Sequence, residues 1–141
     1  MSPIFEKIVD LLRGMTELAK KAVDQGDGEK FVKNVNELAL NVDETYAHMR
    51  EIIMSNDKLS VEEKLEKLEK LAEQQMAAKQ KCEEAIKGNR EHVAKITLDV
   101  VKGLLTCGVS FAPAIIKELK KTSLISNEQA SLLTDGQATD D

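Results

Sequence analysis

The chain has 141 residues, 42% of them hydrophobic, 32% charged and only 3% aromatic, which is enough length for one domain with a hydrophobic core. That balance excludes both a disordered chain and one built from membrane spans. The net charge of −5 is unevenly placed, because residues 122–141 hold Glu128, Asp135, Asp140 and Asp141 without a single Lys or Arg; the remainder is near neutral, and no basic excess is present to neutralise the phosphates of a nucleic acid.

Long stretches without Gly or Pro favour helices, and the apolar spacing predicts an all-α fold. The first helix opens with Ser2 as N-cap and Pro3 at the first helical position, both suited to those sites. Its predicted buried face is Ile4, Ile8, Leu11, Met15, Leu18 and Ala22, and Gly26-Asp27-Gly28 ends it. The second helix should run from about Glu29 to Met54. Its predicted buried stripe is Phe31, Val35, Leu38, Val42, Thr45, Met49 and Ile52, widened by Ala39, Tyr46 and Ile53.

Ser60-Val61-Glu62-Glu63 reads as a capping box that starts a third helix. Within it, Glu63–Lys67 and Glu66–Lys70 have the four-residue order that supports an exposed helix by ~0.3 kcal/mol per pair. Steps of three and four give Leu65, Leu68, Ala72, Gln75, Lys79, Cys82 and Ile86 as its apolar stripe. This begins like a coiled coil and is then interrupted by Gln75 and Lys79. Gly88-Asn89 should break the chain, Gly88 stopping one helix and Asn89 capping the next.

The fourth helix is of a different kind. Around it only Glu91, Lys95, Asp99 and Lys102 are charged, in one narrow stripe, while Ile96, Leu98, Val100, Val101, Leu104 and Leu105 cover nearly every other direction. Such a helix belongs at the centre of a bundle or against lipid. Gly108, Ser110 and Pro113 predict a kink or break, followed by a short helix from Ala114 to Lys121 that buries Ile115, Ile116 and Leu119. The expected architecture is an antiparallel bundle of four main helices plus a short C-terminal helix over residues 1–121, followed by a flexible acidic tail over 122–141.

Few residues point to chemistry. Glu44, His48 and Glu51 share a helix face, but one His with two solvated acids is a poor metal site, so we expect neither metal nor cofactor. His92 and Cys107 are too far apart on one helix for a nucleophile and its base, and Cys107 lies among apolar neighbours. No phosphate loop, Cys-x-x-Cys or Gly-x-Ser-x-Gly occurs, and the inward stripes are aliphatic, so the chain reads as not an enzyme. With Cys82 and Cys107 the only cysteines, and an opening segment that mixes acid with base, free thiols in a cytoplasmic setting are expected.

One segment carries functional weight. From Gly103 to Ile116 no residue is charged, yet that run is too short to span ~30 Å of hydrocarbon, which takes about 20 apolar residues. Its Leu104, Leu105, Val109, Phe111, Ile115 and Ile116 are the candidates for burial in the core or for insertion into a partner or membrane. The leading expectation is a non-enzymatic module that binds another protein, of adaptor, chaperone-like or immunity type. The alternative is a membrane-active helical protein that inserts residues 93–116 into lipid.

Overall fold

The computed structural model describes residues 3–24, 28–88, 91–108, 116–117, 120–121 and 131. It is all-α, with α1 Pro3–Asp24, α2 Gly28–Met54, α3 Val61–Ile86 and α4 His92–Cys107, and no strand among the described residues. The predicted caps at Ser2 and Asn89, the turn at 25–27 and most of the predicted closing helix and tail lie outside them. α2 and α4 each pack against all three other helices, whereas α1 and α3 scarcely meet.

On α1 the buried residues are Ile8, Leu12, Met15, Ala19 and Ala22. The predicted face is therefore rotated in part: Leu12 and Ala19 replace Leu11 and Leu18, which are half-buried at its edge. The reason is that α1 meets both α2 and α4, so its contact stripe is broad and centred between two candidate leucine rows. α2 follows its prediction closely, burying Phe31, Val35, Leu38, Val42, Thr45, Tyr46, Met49 and Ile53, with Ile52 and Ala39 partly covered. The buried Thr45 hydroxyl donates to the Asn41 carbonyl at 2.7 Å, which removes the cost of hiding it.

α3 starts as expected. The Ser60 hydroxyl accepts from the Glu63 amide and the Glu63 carboxylate accepts from the Ser60 amide. Its orientation, however, departs from most of the predicted stripe, of which Cys82 is buried and Leu68 partly so. The residues that seal the core are Leu71, Ala78, Cys82 and Ala85, with Leu68 partly buried, whereas Leu65 is 61% exposed and Ala72 and Ile86 are also exposed. Small side chains at 78, 82 and 85 let α3 lie close to α2 and α4, and that close packing outweighs the hydrophobicity of the opposite row. The two predicted four-residue ion pairs do not form either: Glu63 is used in the cap, and the Lys67 ammonium donates to the Thr106 carbonyl at 2.8 Å.

α3 ends at Ile86 with Lys87 as C-cap, and the chain breaks around Gly88 as the sequence implies, although α4 takes Glu91 rather than Asn89 at its N-cap. At the other end of α4, Gly108 is left-handed at φ 76°, a conformation that costs a side-chain-bearing residue about 1 kcal/mol or more. Its amide donates to the Leu104 and Leu105 carbonyls and closes the helix. One glycine inside α4 serves packing instead. A Cβ built on Gly103 would lie 2.8 Å from the Met49 Sδ and 2.9 Å from the Tyr46 Cε1, so α2 and α4 approach here only because no side chain intervenes.

Candidate functional site

The apolar segment singled out by sequence is core where the structure describes it. Val93, Ile96, Val100, Val101 and Leu104 are at most 1% exposed, Leu105 is half-buried, and Ile116 is buried. Val109, Phe111 and Ile115 lie outside the described residues. No helix is long and apolar enough, among the described residues, to cross a membrane.

The charged stripe of α4 is not uniformly outward. Lys95 and Lys102 are exposed, but Asp99 is buried, its carboxylate accepting from the Lys81 ammonium of α3 with Lys102 3.9 Å away. The Tyr46 hydroxyl donates to the Asp99 backbone carbonyl at 2.8 Å, which ties α2 to the same turn. A buried carboxylate survives only when paired, and its partner comes from another helix eighteen positions away in sequence. The one signal available beforehand was an acid placed inside an otherwise apolar helix.

The candidate metal ligands on α2 do not converge. His48 Nδ1 lies 3.9 Å from Glu51, Glu44 is exposed, and no group of three metal-ligating side chains occurs among the described residues. We expect calorimetric titration with Zn²⁺ at neutral pH to show no stoichiometric micromolar site, in wild type or in His48→Ala; a site lost in the variant would prove this wrong. His92 Nε2 instead faces Glu84 at 3.2 Å across the α3–α4 turn.

Both thiols are held in the protonated form. Burial pushes Cys82 up to about 11 and Cys107 up to about 12, with Lys79 and Lys67 respectively opposing the shift. The thiolate is the nucleophile, so native protein should alkylate with iodoacetamide at pH 8 far more slowly than denatured protein. The same shifts set a pH dependence. Because the folded thiols keep their protons to higher pH than the ordinary value near 9, the unfolded chain loses protons first. Stability is therefore intact below about pH 9 and falls as pH rises toward 11–12. Denaturation midpoints measured across that range check the sign.

The feature that remains is the solvent side of α3. Val61 is 73%, Leu65 61% and Met76 73% exposed, and with the exposed Ala72 they fall at spacings of four, seven and four residues, one row along the helix. Met54, also exposed, ends α2 beside this row, where the Lys64 ammonium donates to its carbonyl at 2.9 Å. One edge of the row carries the exposed Glu62, Glu66, Glu69 and Glu73, none of which forms an ion pair among the described residues.

The other edge is tied to α2. Asp43 accepts from Lys79 at 2.7 Å and from the Gln75 side chain at 2.9 Å, and Arg50 donates to Gln75 at 2.7 Å. Burial alone would raise the Asp43 pKa; the bonds from Lys79 and Gln75 outweigh it and hold the carboxyl below its ordinary value. At the far end of α3, Phe31, Val32, Leu40, Ala85 and Ile86 line an open groove of about 730 Å³. No protein family, curated protein or solved structure matches the chain.

Proposed function

We propose that this chain is a non-enzymatic interaction module that binds another protein through the outward face of α3. One observation carries the reading: α3 has two apolar rows, and while Leu71, Ala78, Cys82 and Ala85 seal the core, a second row of Val61, Leu65, Ala72 and Met76 faces solvent. Exposed apolar residues scattered singly are ordinary, but aligned on one helix face they form the kind of patch that proteins bury on association. The aliphatic inward faces and the two protonated thiols also favour binding over catalysis.

In this reading residues 1–121 form an antiparallel bundle of four main helices plus a short C-terminal helix, with residues 122–141 a flexible acidic tail. Support comes from the bonds that join Met54 to Lys64, Asp43 to Lys79, Lys67 to Thr106 and Lys81 to Asp99, each pairing a rising with a falling residue number on neighbouring helices. Residues 93–107 then act as the pillar that holds the α3 face in place. Moving them into lipid would first expose core side chains at about 25 cal/mol per Å², a large cost for a marginally stable domain. We therefore expect no dye leakage from zwitterionic or anionic vesicles at pH 7; leakage abolished by Leu104→Asp would favour the membrane-active alternative.

A photo-crosslinking residue placed at position 65 or 76 tests the interaction directly in the host cell. Discrete adducts with one protein from these two positions, and none from position 20 on the solvent side of α1, support the reading. Equal or absent crosslinking from both helices would remove it.

A further inference from the structure

Four aligned glutamates that form no ion pair among the described residues are an unfavourable arrangement for a helix. Glu62–Glu66 and Glu69–Glu73 are four apart and Glu66–Glu69 three apart, the spacings at which like charges on a helix repel. Of the α3 lysines, Lys67 is turned to the Thr106 carbonyl and Lys81 to the Asp99 carboxylate, both toward α4. Lys70 is exposed within reach of Glu66 and Glu73 but forms no ion pair among the described residues, leaving one base beside four acids. The repulsion is left standing along one edge of the exposed apolar row. A cationic partner lying on that row would relieve it and cover the apolar side chains in the same step.

We propose that the row Val61, Leu65, Ala72 and Met76 receives an amphipathic helix of a partner protein, one edge of whose apolar stripe carries lysine or arginine. The proposal rests on the interaction reading above and adds the chemistry of the partner. The row spans about 22 Å at 1.5 Å per residue, so about four to five turns of a docking helix cover it. Helices that bind in this way present anchors at three- and four-residue spacing, as α3 itself does.

The other candidate occupants fit less well. A second copy packed antiparallel, row against row, sets the two glutamate edges side by side. Packed parallel, it sets each glutamate edge against the α2 edge, where Glu51 is exposed. There Lys79 is paired with Asp43, Arg50 is held on the Gln75 amide and Lys64 on the Met54 carbonyl, so each of these bases already holds a bond. Residues 122–141 of this chain carry four acids and no base, so they too are repelled. An anionic lipid surface is disfavoured by the same row.

The test uses the full chain and two synthetic helical peptides of about 18 residues, long enough to cover the row. They share one leucine stripe, edged by lysine in one and by glutamate in the other, and binding is read by fluorescence anisotropy at low and at high salt. The expected result is saturable binding of the lysine-edged peptide alone, weakened by salt. Leu65→Asp combined with Met76→Asp should weaken it tenfold or more. The charge-only variant with Glu62, Glu66, Glu69 and Glu73 all changed to Gln should weaken it by roughly tenfold and remove most of its salt dependence. These positions are exposed, and unchanged helicity by circular dichroism confirms that each variant is folded.

Equal binding of both peptides, or a glutamine variant that binds like wild type, overturns the charge assignment. If crosslinks from position 65 still capture one protein, the interaction reading survives that failure. Binding indifferent to Leu65→Asp and Met76→Asp places the peptide elsewhere and overturns the proposal. A chain that sediments as a dimer, and as a monomer once Leu65 is changed to Asp, would assign the row to a second copy instead.

Discussion

Gly103→Val should lower the free energy of unfolding by about 3 kcal/mol, the upper end of the usual cost of overpacking a core. The first added atom already falls 2.8 Å from the Met49 Sδ and 2.9 Å from the Tyr46 Cε1. Met49 is flexible and can swing aside. Tyr46 cannot, because its ring is fully buried and its hydroxyl is held on the Asp99 carbonyl, so α2 and α4 must separate. Replacing a helical glycine returns at most about 1 kcal/mol, the amount gained with alanine and less with valine, too little to offset the separation. Gly103→Ala should therefore be milder but still destabilising. The mechanism makes a further demand: in a Tyr46→Phe background the ring is freed to tilt, and the cost of Gly103→Ala should shrink. Urea denaturation of the four proteins completes the cycle. Strict additivity would show that the pinned ring is not what resists the new methyl group.

How far the sequence reached follows from particular residues. α2 is readable because its large side chains recur at one spacing, and all eight residues it buries lie in the predicted stripe or its widening: Phe31, Val35, Leu38, Val42, Thr45, Tyr46, Met49 and Ile53. α3 misled for the opposite reason. Of the predicted stripe only Cys82 is buried and Leu68 partly so, Leu65 is exposed, and the rest of the buried row is Leu71 with the small Ala78 and Ala85. Small residues bring little apolar area, yet they decide how close two helices come. The sequence of α4 shows Asp99 only as part of a charged stripe, because its partner Lys81 reaches it from α3. Half of the candidate surface is hidden in the same way, since Leu65 and Ala72 fall on the predicted stripe while Val61 and Met76 lie outside it.

Two leucines now make opposite predictions from the same substitution. Leu104 is fully buried on α4, and Leu104→Ala should cost ~2–4 kcal/mol, the sum of lost transfer energy and the cavity left behind. Little collapse is available there, because α4 is held against α2 through Tyr46 and Gly103 and against α3 through Lys81 and Lys67. Leu65 is 61% exposed, and Leu65→Ala should change stability by no more than about 0.5 kcal/mol. Judged by periodicity alone the two would be equally costly, since both lie on predicted apolar faces. Chemical denaturation of the pair separates the alternatives without any knowledge of the partner. A large cost at Leu65 would mean that the outward row is covered in solution by the chain itself. A cost below about 0.5 kcal/mol at Leu104 would mean that α4 is not the pillar described here, and the scaffold supporting the α3 face would have to be redrawn.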